Sequence, residues 1–119
     1  MTAERLQDYC DIKRELEHLE RLRARLQEEA RRDEARGWIP KGQRSKSFYA
    51  VVALYDQKIK EARAELQAVE AFINTLPDQC REVCRLHYLE GRTMDEAAEA
   101  MCYSCTQANR YKKKALACL

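Results

Sequence analysis

Glycine and proline are scarce in this chain, with three and two among 119 residues. So few turn formers argue against a fold of many short strands and tight hairpins. No stretch alternates apolar and polar residues for long enough to read as a strand. Nor is there an apolar run near the roughly 20 residues that cross a bilayer, so no membrane partner is expected. The N-terminus enters an amphipathic pattern at once, with no signal-peptide composition, and a cytoplasmic location is the expectation. Histidine is limited to His18 and His87. There is no glycine-rich phosphate loop and no nucleophile at a readable spacing from a base. The carboxylates alternate with Lys and Arg, as on a solvated helix surface. Catalysis and a bound cofactor are therefore not expected.

One sign of charge is missing from one place. The net charge is only +2, yet from Ser104 onward there is no acid, while Arg110, Lys112, Lys113 and Lys114 all lie there. Six cysteines in such a chain are expected as thiols. Cys80, Cys84, Cys102 and Cys105, with His87 nearby, have spacings that suggest zinc, which needs four converging ligands. Cys84 is needed on the inner face of its helix, however, and Cys105 at the start of another, so no metal is expected.

What the chain does have is charge at helical spacing: 35% of its residues are Asp, Glu, Lys or Arg. From about Glu4 to Arg36, Leu6, Tyr9, Ile12, Leu16, Leu19, Leu22 and Leu26 recur every three or four residues. Residues 37–47 form a loop by composition, with Lys41, Arg44 and Lys46 and no acid. From Ser47, a plausible N-cap, to about Thr75 a second seam runs through Val52, Tyr55, Ile59, Ala62, Leu66, Val69, Ile73 and Leu76. Two helices of similar length joined by a modest loop predict a coiled-coil-like antiparallel hairpin over residues 1–75. Such narrow seams leave room for a second hairpin, so a homo-oligomer through this segment is expected.

Residues 76–119 read as three short helices. Pro77 suits the first turn of the first helix. Val83, Cys84, Leu86 and Tyr88 supply its apolar face, and Gly91 stops it. Thr93 and Glu96 form a capping box for the second, whose inner face is Ala97, Ala98 and Met101; Ser104 with Gln107 does the same for the third. The third helix turns Ala108, Tyr111, Ala115 and Leu116 inward. Its other side carries Cys105, Thr106, Asn109, Arg110 and Lys113, a composition that suits a DNA major groove. The whole is expected to be all-α, a long hairpin followed by a three-helix helix-turn-helix domain. A three-helix bundle that binds nothing is the plainer alternative.

Leu76-Pro77, Arg81-Glu82-Val83, Leu86, Tyr88-Leu89-Glu90-Gly91, Glu96-Ala97-Ala98, Ser104 and Lys114-Ala115-Leu116 resemble region 4 of sigma-70-type factors. The resemblance implies a helix-turn-helix that reads an upstream promoter element, with double-stranded DNA and RNA polymerase as partners. In layout the chain is similar to a phage and prophage family of small transcription regulators. Within this frame Arg110 is the candidate for a bidentate guanine contact, with Asn109, Thr106 and Cys105 as neighbours at base edges. Arg92, Ser104, Lys112, Lys113 and Lys114 are placed for phosphates, and Gln107 belongs to the same set. The chain departs from the family at Cys102, where glycine is usual; a positive φ is expected there at a cost of roughly 1 kcal/mol. It also has smaller residues than usual at Cys84, Ala97 and Ala108. Two other roles fit the same features: the DNA-recognition subunit of a phage packaging machine, and an adaptor that binds polymerase without touching DNA.

Overall fold

In the computed structural model, which describes residues 1–40 and 44–119, the chain is built of helices and turns. Helix α1 spans Ala3–Ala35 and α2 spans Lys46–Asn74. Helix α3 (Asp78–Cys84) runs directly into a π-helical turn, Arg85–Leu89, and α4 (Met94–Ala100) and α5 (Cys105–Leu116) follow. There is no strand among the described residues. The all-α class, with long N-terminal helices before a compact helical domain, is as the sequence predicts. Residues divide into two compact units: 14–63, and 1–13 together with 64–119. These units cut across the division into 1–75 and 76–119 drawn from sequence.

In the unit of residues 14–63, α1 and α2 run antiparallel. Glu20 accepts a charged hydrogen bond from Arg63 at 2.7 Å, and Arg23 pairs with Asp56. Leu16, Leu19 and Ile59 are buried between the helices, while Leu22, Leu26, Val52 and Tyr55 are half-buried. Gly37, at φ 75°, ends the α1 turn, where the Trp38 N–H reaches back to the Asp33 carbonyl at 3.1 Å. The cap of α2 differs from expectation. Ser45, not Ser47, accepts from the Phe48 N–H, at 3.1 Å, and Ser47 lies inside the first turn. Arg44, a loop cation by sequence, is drawn onto α1. Its side chain is only 6% exposed, 3.0 Å from Glu34, bonded to the Ala30 carbonyl and stacked over Phe48. Of the other basic residues expected in this loop, Lys46 begins α2, and Lys41 lies outside the described residues.

In the unit of residues 1–13 and 64–119, the first turns of α1 and the last turns of α2 join α3, α4 and α5. Leu6, Val69, Ile73 and Leu76 are buried there. The Tyr9 hydroxyl donates to Glu70 at 2.6 Å; burial, then this carboxylate, hold the phenol protonated well above its usual range. Pro77 sits at the N-cap of α3 (φ −57°, ψ 154°), one position before the first turn assigned to it from sequence. Helix α3 buries Cys80, Val83 and Cys84.

The π turn was not visible in the sequence. Its mark is the Glu90 N–H bonded to the Arg85 carbonyl, five residues back, at 3.1 Å. Leu86 and Tyr88, on opposite sides of a regular helix, are both buried here, so this turn is enclosed on two faces. The Cys10 thiol, from α1, lies 3.4 Å from the Tyr88 carbonyl and 3.9 Å from that of Leu89, donating to oxygens at the end of the turn. Gly91 follows at φ 71°, and a Cβ there would stand 3.3 Å from the Cys10 sulfur. Glycine is thus required twice over, by conformation and by the approach of α1.

Candidate nucleic-acid interface

The candidate interface is built by α4, the turn after it, and α5. Thr93 caps α4, its Oγ1 accepting from the Glu96 N–H at 3.2 Å. The Glu96 carboxylate returns to the Thr93 hydroxyl at 3.3 Å, not to its backbone N–H, so the expected box is made in an altered form. Ser104 caps α5, accepting from the Gln107 N–H at 3.2 Å. Between them the chain reverses through Cys102, whose φ is 58°, the left-handed conformation expected where glycine is usual. The Tyr103 N–H closes the turn on the Ala98 carbonyl at 2.8 Å. Ala97 and Ala108 are completely buried and Ala98 is 2% exposed. Only small side chains let the two helices approach this closely.

Packing of Ala108 and Ala115 fixes which side of α5 faces outward. Thr106, Asn109, Arg110 and Lys113 line one shallow surface concavity on that side. Arg110 and Lys113 form no ion pair among the described residues. The Asn109 amide donates to the Cys105 carbonyl at 2.9 Å, which steadies the side chain and leaves its oxygen outward. Lys114 is exposed, with its ammonium 5.5 Å from the centre of the Tyr111 ring.

Other members of the expected set stand elsewhere. Lys112 is half-buried on the inner side of α5, its ammonium 5.9 Å from the Tyr88 ring centre, so it supports the core edge. Arg92 is 3.6 Å from Glu90, which offsets its charge, and its carbonyl accepts from His87 Nδ1 at 2.8 Å. Cys105 donates its thiol proton to Asp95 at 3.0 Å, and that bond, with the carboxylate charge, raises its pKa. Sequence reasoning missed Asp95. Its only signal was its place in the first turn of α4, since the turn geometry that brings it to α5 is not written in the spacing.

The cysteines weighed for zinc are not gathered. Cys80 and Cys84 are buried, while Cys102 and Cys105 are exposed. No group of three or more His, Cys, Asp or Glu could hold a metal ion among the described residues. No helix there is long and apolar enough to cross a membrane.

Residues 66–119 match the family model described as Sigma-70, region 4. The match begins inside α2, close to residue 64, where that compact unit resumes. It supports a sigma-70 region-4-like helix-turn-helix of transcription-related, DNA-binding type. No curated protein and no solved structure matches the chain.

Proposed function

We propose that this chain is a sequence-specific DNA-binding transcription regulator of phage or prophage type that reads a major groove with α5. One observation carries the reading: Thr106, Asn109, Arg110 and Lys113 share an open face on a helix whose other side is locked by buried alanines. Arg110 is the residue for a bidentate guanine contact, Thr106 and Asn109 are its neighbours, and Lys113 and Lys114 hold phosphates. RNA polymerase is the protein partner, in keeping with the region 4 likeness. The Asp95 carboxylate beside Cys105 also favours a partner, because an acid at the start of the reading helix repels phosphate and weakens binding by the chain alone.

The test is genomic binding-site mapping in the native host, joined to mobility shifts with and without host polymerase. Promoter sites support the reading, and packaging sites would replace it with a role in DNA packaging. Absence of any site-selective shift in both conditions, with promoter output unaffected by Arg110→Ala, would remove the DNA-reading role from α5.

A further inference from the structure

The hairpin unit of residues 14–63 has two unlike flanks. At about 100° per residue, Glu20, Arg23 and Gln27 of α1 share one flank with Asp56 and Arg63 of α2. The ion pairs Glu20–Arg63 and Arg23–Asp56 bridge it. The opposite flank carries Leu22 and Leu26 from α1, and Val51, Leu54 and Tyr55 from α2. No ion pair crosses it among the described residues. Leu54 is 55% exposed and Val51 41%.

Val51 and Leu54 belong to an apolar run of eight, Phe48-Tyr49-Ala50-Val51-Val52-Ala53-Leu54-Tyr55. Eight consecutive residues go more than twice round a helix, and a helix apolar on every side is normally covered on every side. Helix α1 covers only one. The seam itself is not available to a second copy, since Ile59 and Leu66 are 6% and 8% exposed within the single chain.

We infer that the Leu22–Leu26–Val51–Leu54 flank binds a second copy of this chain, the two hairpins packing antiparallel about a two-fold axis. The charges around the patch select this occupant. The pairing of Glu20 with Arg63 and Arg23 with Asp56 sets Leu26 level with Leu54 and Tyr55, Glu29 level with Val51, and Leu22 level with Lys58. A two-fold axis crossing the hairpin at the level of Leu26 and Leu54 lays α1 on α1 and α2 on α2 in opposite directions. Glu29 of one copy then faces Arg25 of the other, with Lys58 on the same level, and symmetry repeats the contact. Glu29, Arg25 and Lys58 are exposed and form no ion pair among the described residues. The patch thus has an apolar centre, with Glu29 set against Arg25 and Lys58 at its rim. An unrelated partner would have to reproduce that pattern; a second copy already carries it.

This inference goes beyond the DNA reading and is independent of it. The experiment is sedimentation equilibrium of the full chain, without DNA or polymerase, at tens of micromolar. The unmutated chain should have twice the chain mass. Leu54→Glu, at an exposed position, should weaken association at least tenfold with unchanged helical circular dichroism. Glu29→Arg should weaken it, and adding Arg25→Glu to that variant should restore most of the loss. A monomeric unmutated chain would overturn the inference. So would a Leu54→Glu dimer as tight as the original, or a double charge exchange no tighter than Glu29→Arg alone.

Discussion

Replacing Cys102 by glycine should stabilise the helix-turn-helix. Cys102 has φ 58° and an exposed side chain, so glycine removes strain and almost no packing. The left-handed conformation costs an L-residue roughly 1–2 kcal/mol. Glycine loses about 0.4–1 kcal/mol of that gain by enlarging the freedom of the unfolded chain. The net is a gain of about 0.5–1 kcal/mol, or a rise of a few °C in melting temperature for a chain of this size. The backbone bonds of the turn, Cys102 N–H to Glu99 at 3.1 Å and Tyr103 N–H to Ala98 at 2.8 Å, need no side chain and should persist. Cys102→Ala is the control, since it removes the thiol and keeps the Cβ that causes the strain. Urea and thermal unfolding followed by circular dichroism should rank glycine above alanine, with alanine close to the original. A glycine variant no more stable than the alanine variant would show that this turn stores no such strain.

Arg110→Ala should cost roughly 1–3 kcal/mol at the preferred site and relax its sequence preference, whereas Lys113→Ala should weaken all duplexes alike and make the salt slope shallower by about one; titrations on matched and scrambled duplexes separate the two. A thiol reagent should modify Cys102 and Cys118 quickly, Cys105 more slowly because Asp95 holds its proton, and reach Cys80 and Cys84 only on unfolding. Burial pushes the Cys84 thiol from 9.0 to about 11, so its share of stability is intact below pH 9 and declines as the pH rises toward 11, which alkaline unfolding curves will report. Tyr9→Phe should cost about 1–2 kcal/mol by removing the bond to Glu70. The raised pKa of Tyr9 has the same sign of effect, present below its ordinary value of 10.0 and lost above it, so the variant should lose less stability than the unmutated chain in strong alkali.

Features that rest on local periodicity or local chemistry were legible in the sequence. The long helices came from leucines at three- and four-residue spacing, and the caps at Thr93 and Ser104 from hydroxyls placed before apolar runs. The left-handed Cys102 followed from one residue standing where glycine is usual. What escaped was set by distant neighbours. The π turn exists where Leu86 and Tyr88 are enclosed on two faces, and nothing in residues 85–89 announces it. Arg44 read as a loop cation, yet Glu34, Ala30 and Phe48 take it out of solution. On α5 the basic run 112–114 looked uniform, but helical rotation sends Lys112 to Tyr88 and leaves only Lys113 and Lys114 for an outside partner. Asp95 could not be placed at α5 without the turn that folds α4 back onto it.

The Cys10 thiol beside the Tyr88 and Leu89 carbonyls bears on how this protein is made. Those oxygens are translated 78 and 79 residues after the cysteine that meets them. The first 13 residues therefore emerge from the ribosome long before their packing partners exist, whereas residues 14–63 can pair as soon as α2 appears. Synthesis should leave the opening turns of α1 exposed, with Leu6 and Tyr9 uncovered, until the last helices are released. A pause before α5 is translated would lengthen that exposure and favour capture by chaperones.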